Sequence, residues 1–123
     1  MISFESLSLN DLSPIYMQII MHIKRGIASG NIKDGDELPS RRVLSSALGV
    51  NPNTVQKAYK LLEEEGLIES RLGAKSCMLL DEEKIRRISD ELTESDIKAV
   101  VLSMKQMGIS KEKAIDLISK YWE

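Results

Sequence analysis

Residues 40–66 read SRRVLSSALGVNPNTVQKAYKLLEEEG, and two helix starts are legible inside them. Ser40 can accept a hydrogen bond from a free N–H at a helix start, and Val43, Leu44, Ala47 and Leu48 then give that helix an apolar side. Gly49 follows where a left-handed terminator belongs. Asn51 is a second capping residue. Pro52 suits the first position of the next helix, because the N–H it lacks would be orphaned there anyway. That helix is expected to run to about Glu65 and to stop at Gly66. Helix, short turn, helix is the pattern of a helix-turn-helix.

The helix from Pro52 has two unlike sides. At about 100° per residue, Val55, Tyr59 and Leu62 share one side, and Asn53, Gln56, Lys57 and Lys60 fall within an arc of about 100° on the other. Asn and Gln can bond bidentately to the N6 and N7 edge of adenine, while Lys reaches guanine acceptors or phosphates. Because Asn51 and Pro52 start the helix abruptly, Asn53 and Gln56 occupy its first turns, the part of a recognition helix that enters the major groove. Thr54 and the free N–H groups of that turn suit a phosphate. Arg41 and Arg42 stand at a helix start, where cations are slightly unfavourable, and a phosphate partner would offset that cost.

Upstream, Ser13 is expected to cap a first helix with Pro14 in its first turn, and Ile15, Ile19, Ile23 and Ile27 recur every four residues as far as Ser29 and Gly30. Downstream, Leu67 to Arg71 and Ser76 to Leu80 are short strand-like runs separated by Leu72-Gly73-Ala74-Lys75, which reads as a hairpin, or wing. From Asp81 the chain looks helical again. A charged segment reaches Glu91, Thr93 and Asp96 form a capping-box pair for a helix to Met107, Gly108 breaks it, and Ser110 caps a last helix. The expected fold is mainly α with a small β-hairpin: a winged helix-turn-helix over residues 1–80, then a helical dimerisation tail over residues 81–123. In that tail Ile97, Val100, Val101, Met104 and Met107 form one apolar stripe, and Leu117, Ile118, Tyr121 and Trp122 form another. Two such stripes invite a twofold partner, so a homodimer is expected.

Composition narrows the functions. The chain has 123 residues, room for one small domain with an extension. A formal net charge of −2 argues against a nucleic-acid binder only as a sum: residues 38–62 contain no Asp or Glu and carry Arg41, Arg42, Lys57 and Lys60, and acids resume at Glu63, Glu64 and Glu65. A basic patch on an otherwise acidic protein orients a polyanion. One cysteine, Cys77, and one histidine, His22, provide neither a disulfide nor a zinc site, so no metal or cofactor is expected. His22 reads as a boundary residue and Cys77 as a packed hairpin residue, and no nucleophile, base and orienting group can be assembled into an enzyme. The opening MISFESLSLNDLSP lacks a charged start with an apolar run, and no apolar stretch approaches membrane-spanning length. A cytoplasmic protein is expected.

The run PIYMQI followed by GDELPSRRVLSSALGVNPNTVQKAYKLLEEEGLIESRLG closely resembles the winged-helix domain of GntR-family bacterial transcription regulators. The likeness covers Pro14 to about Leu80, and VNPNTVQKAY with a short tail is similar to the YtrA subfamily. It implies a sequence-specific regulator, a repressor, binding a double-stranded operator as a homodimer. The family's proline-serine-x-arginine motif falls on Pro39, Ser40, Arg41 and Arg42, which makes Arg42 the expected contact from the second helix. The recognition-helix contacts fall on Asn51, Asn53, Thr54 and Gln56, and the wing-tip glycine on Gly73. Where a second glycine is usual, Ala74-Lys75-Ser76 stands here, and Arg71 and Lys75 are placed against phosphates from the wing. A tail this small does not enclose a drug-sized pocket by itself, although a site for a small-molecule effector, whose identity the sequence does not give, could still form between subunits. The alternative class is a winged helix used as a protein-interaction module, with the polar face of the third helix against an acidic protein surface.

Overall fold

The computed structural model describes residues 1–70 and 75–123, so the expectations at Arg71 and Gly73 lie outside the described residues. The isoleucine ladder lays one apolar stripe along α1 (Ile15–Ser29), where Ile19, Ile23 and Ile27 are buried. Each such side chain taken out of water contributes about 1.5–3 kcal/mol. The stripe packs on α3 (Pro52–Glu64), whose Val55, Ala58, Tyr59 and Leu62 are buried, and α2 (Arg41–Leu48) packs on α3 as well. Lys24 of α1 pairs with Glu65 at 3.0 Å and ties the acidic end of α3 to α1.

In the first three helices capping proceeds as the residue types require, with one exception. Ser40 accepts from the N–H of Val43 at 3.2 Å, and Asn51 accepts from that of Asn53 at 2.8 Å with Pro52 at the first helical position. Gly49 closes α2 at φ 68°, in the left-handed region that suits glycine. At α1 the capping place belongs to Pro14 rather than Ser13. Pro14 has ψ 141°, an extended conformation, so the helix begins one residue later and has no side-chain cap. The carbonyl of Ser13 accepts instead from Nε2 of Gln18 at 2.8 Å, the same side chain that bonds both the N–H and the carbonyl of Asn10.

The inward side of α2 also differs from its apolar pattern. Leu44 and Ser45 are buried, Leu48 is half-buried, Ala47 is exposed and Val43 is 55% exposed. At about 100° per residue the inward arc runs from Leu44 through Leu48 to Ser45, and Val43 lies about 100° from Leu44, outside that arc. Ser45 takes the inward place because its hydroxyl donates to the carbonyl of Val50 across the turn, which satisfies the buried polar group.

After Gly66, strands β1 (Ile68–Glu69) and β2 (Cys77–Met78) pair antiparallel, Ile68 opposite Met78 and Glu69 opposite Cys77. The strands are shorter than the runs Leu67–Arg71 and Ser76–Leu80. On its other side Cys77 bridges to Glu37, and Leu38 N–H donates to the Ser76 carbonyl at 2.9 Å, so the segment before α2 is fastened to the wing. Cys77 is half-buried there.

Asp81 caps α4 (Glu82–Gln106), its carboxylate accepting from Lys84 N–H at 2.8 Å. This helix runs unbroken through Thr93 and Asp96, against the expected new start there. With no Gly or Pro between Glu82 and Gln106, the N–H groups near Thr93 have carbonyl partners one turn back, and a capping pair has nothing left to cap. Ser110 caps α5 (Lys111–Tyr121) through Lys113 N–H. The chain divides into two compact units, Met1–Ser89 and Asp90–Glu123.

Within the first unit an N-terminal arm completes the core. Ile2 and Phe4 are buried, Ile2 N–H donates to the Glu37 carbonyl at 2.8 Å, and the Phe4 ring lies 4.8 Å from that of His22. His22 is half-buried, and its Nε2 donates to the Ser3 carbonyl at 2.9 Å, which fixes the protonated nitrogen. Among these contacts the deepest polar one is between Tyr59 and Pro39: the phenol donates to the Pro39 carbonyl at 2.7 Å, in the core. Replacing Tyr59 by Phe leaves that carbonyl unpaired and is expected to lower the unfolding free energy by about 1–2 kcal/mol in urea titration, with an unchanged denaturant slope. No loss would show that the bond contributes nothing net.

Candidate nucleic-acid interface

The residues read as DNA-facing sit on three elements that the core holds together. On α3, Asn53, Gln56, Lys57 and Lys60 are exposed, Thr54 is half-buried, and the residues between them form the buried side. Asn51 is exposed, with its side-chain oxygen spent on the cap, so the amide nitrogen is the group it can offer. The first-turn N–H of Thr54 bonds the Asn51 carbonyl at 2.9 Å. On α2, Arg42 is exposed and Arg41 half-buried; on the wing, Lys75 is exposed.

Two of these cations lie over tyrosine rings. The guanidinium of Arg41 stands 5.9 Å from the centre of the Tyr59 ring, and its Nε is buried with no hydrogen-bond partner among the described residues. Arg41 therefore turns toward the core, and Arg42 presents its charge outward. Burial pushes the Tyr59 phenol well above its ordinary value, against the opposing pull of the Arg41 charge, so the phenol remains a neutral donor. The Nζ of Lys57 lies 4.1 Å from the centre of the Tyr16 ring of α1. Neither tyrosine stands out in the sequence: Tyr59 reads as one more core residue, and the pairing of Tyr16 with Lys57 depends on how α1 crosses α3.

A concavity of about 780 Å³ lies away from this face, between the N-terminal arm, α1 and the turn after it, with His22, Arg25, Ile32 and Asp36 among its walls. No residue of α3 lines it. Asp36 there is already bonded to Lys33 N–H at 2.8 Å.

A helix-turn-helix with a basic, amide-bearing outward face and a two-stranded wing is the geometry of a duplex-DNA reader. Residues 15–75 match the family described as bacterial regulatory proteins, gntR family. Over 110 residues, 88% of this chain and 84% of the relative, the chain is 36% identical to the HTH-type transcriptional repressor YtrA of Bacillus subtilis (strain 168). The chain belongs to the GntR family. A GntR family transcriptional regulator from Listeria monocytogenes shares the fold with a TM-score of 0.81 at 34% identity, covering 91% of this chain and 98% of that one. The DNA-binding domain of AraR, crystallised in complex with operator ORX1, has a TM-score of 0.51 at 29% identity over 58% of this chain and 92% of its own. As a GntR protein this chain is a transcriptional regulator with a DNA-binding winged helix, and not an enzyme. No helix among the described residues is long and apolar enough to cross a membrane.

The cap that sets the start of α3 can be tested by itself. Asn51→Ala is expected to destabilise the protein by about 1 kcal/mol, and Asn51→Ser to restore most of that, as read by thermal or urea unfolding. Equal stability of all three proteins would mean that the cap does not hold the helix start.

Proposed function

We propose that the protein is a cytoplasmic repressor that binds a pseudo-palindromic operator as a homodimer, with α3 in the major groove and the wing beside it. Residues 1–80 act as the DNA-binding part and residues 81–123 as the dimerisation tail. The observation that carries this reading is the division of α3: Val55, Ala58, Tyr59 and Leu62 are buried, while Asn53, Gln56, Lys57 and Lys60 are exposed. Asn53 and Gln56 read base edges. Thr54, Arg42, Lys60 and Lys75 meet phosphates, joined by Arg71, Gly73 and the amide of Asn51, while Arg41, turned toward the Tyr59 ring, does not reach the DNA backbone. Repression is supported by the name of the relative YtrA, and an operator duplex by the AraR complex.

The dimer rests on the second unit. Ile97, Val100, Val101 and Met107 of the first stripe are exposed, Met104 is half-buried, and α5 buries none of its residues. Ile118 and Tyr121 are exposed, Trp122 is 82% exposed, and Leu117 is half-buried. Apolar surface of this extent on so short a segment fits a second copy of the same segment, the commonest closed arrangement. One copy presents one recognition helix, so a dimer reads two half-sites about 10 base pairs apart, or a multiple of that.

Selection of bound duplexes from a random pool is expected to return a pseudo-palindrome. Asn53→Ala and Gln56→Ala should each relax preference at one base-pair position per half-site by about 1–3 kcal/mol, while Lys60→Ala weakens all sequences alike. Unchanged discrimination in both amide variants would remove α3 from base reading. In sedimentation, the full chain is expected as a dimer at micromolar concentration and Val101→Glu as a monomer, because the stripe cannot bury an unpaired carboxylate. A monomeric full chain, or a dimeric Val101→Glu, would count against dimerisation through the tail.

A further inference from the structure

Lys57 and Lys60 carry the same charge on the same side of α3, yet the fold treats them differently. At about 100° per residue Lys57 stands at one edge of the outward arc and Gln56 at the other, with Asn53 and Lys60 between. The Lys57 edge is the one beside α1, where the ammonium rests 4.1 Å from the centre of the Tyr16 ring. Tyr16 is half-buried in the first turn of α1, and α1 is locked to α3 by the isoleucine stripe and by the Lys24–Glu65 pair, so the ring is a fixed platform. Lys60 has no ring contact among the described residues. Nor does any carboxylate pair with Lys57 among them.

We propose that Tyr16 is a positioning residue for DNA binding: its ring holds the Lys57 ammonium at the α1 edge of the reading face, where it meets a backbone phosphate. This rests on the reading of α3 as the groove-entering helix. An unrestrained lysine loses rotamer freedom when it settles on a phosphate, and a lysine already held over a ring has lost much of it before DNA arrives. The ring attracts the ammonium through its negative quadrupole, and an ammonium has three N–H donors, so the ring contact does not consume its capacity for a phosphate. A cation fixed at the edge of the arc supplies affinity and register without sequence preference, leaving base reading to Asn53 and Gln56.

The test is a double-mutant cycle on the full chain, using a duplex enriched by the wild-type protein from a random pool, with thermal unfolding of every variant recorded alongside. Lys57→Ala is expected to reduce the magnitude of the slope of log K against log salt by about one. Tyr16→Leu should weaken binding about two- to five-fold on all sequences when Lys57 is present, and add no loss in the Lys57→Ala background. Tyr16→Phe, which keeps the ring, should bind like wild type. Equal losses from Tyr16→Leu in both backgrounds, or failure of Tyr16→Phe to restore binding, would overturn the positioning role while leaving the reading of α3 intact. An unchanged salt slope in Lys57→Ala overturns the proposal at its root by removing Lys57 from the interface. Failure of the reading of α3 itself would show separately, as Asn53 and Gln56 variants that keep full discrimination.

Discussion

The bond from the Tyr59 phenol to the Pro39 carbonyl fixes the relation between the start of α2 and the middle of α3. Pro39 has no N–H and precedes the cap at Ser40, so its carbonyl is the only backbone hydrogen-bonding group that residue offers, and Tyr59 takes it. Around this bond the other restraints fall into place. The ring of Tyr59 underlies Arg41, the segment before Pro39 is laced to β2 through Leu38 and Ser76, and Leu44 and Ser45 seat α2 on the same helix. A recognition helix reads DNA only if its neighbours hold it at a set angle, and here the hold is a short network of backbone and hydroxyl bonds inside an aliphatic shell.

The fold was legible where a residue type has a single physical use. Pro52 after Asn51 admits little except a capped helix start, and an isoleucine every fourth residue admits little except a buried helical stripe. The features that escaped are those where a local signal competes with context. Thr93 and Asp96 have the chemistry of a cap, but nothing near them interrupts the backbone ladder. Val43 is as apolar as Leu44, and only the facing helix decides which is inside. Ser13 lost its place to Pro14 because an extended proline shifts the start by one residue. The N-terminal arm carries no periodicity, so the burial of Ile2 and Phe4 depends on tertiary neighbours alone.

For the interface, sequence displayed the outward residues of α3 directly, since a helix whose core side is known has its other side known too. It did not display which cations are tethered. Arg41 and Arg42 are adjacent and chemically identical, and the difference between an inward and an outward guanidinium arises from the position of the Tyr59 ring. The charge pattern has a further structural use. Glu65, the last of the acids that follow the basic stretch, is tied to Lys24 of α1 at the far end of α3, so negative charge gathers where the helix leaves the reading face.

The exposure of α5 has a bearing on how the protein is held together at different amounts. An isolated helix of 11 residues is marginal in water, and α5 buries none of its own residues within one chain. Its order must then draw on whatever covers its apolar side. When that cover is another copy, helix content follows the law of mass action: a dilute solution frays the last helix and a concentrated one sets it. If the tail dimerises as proposed, the order of α5 would therefore depend on how much of the protein is present.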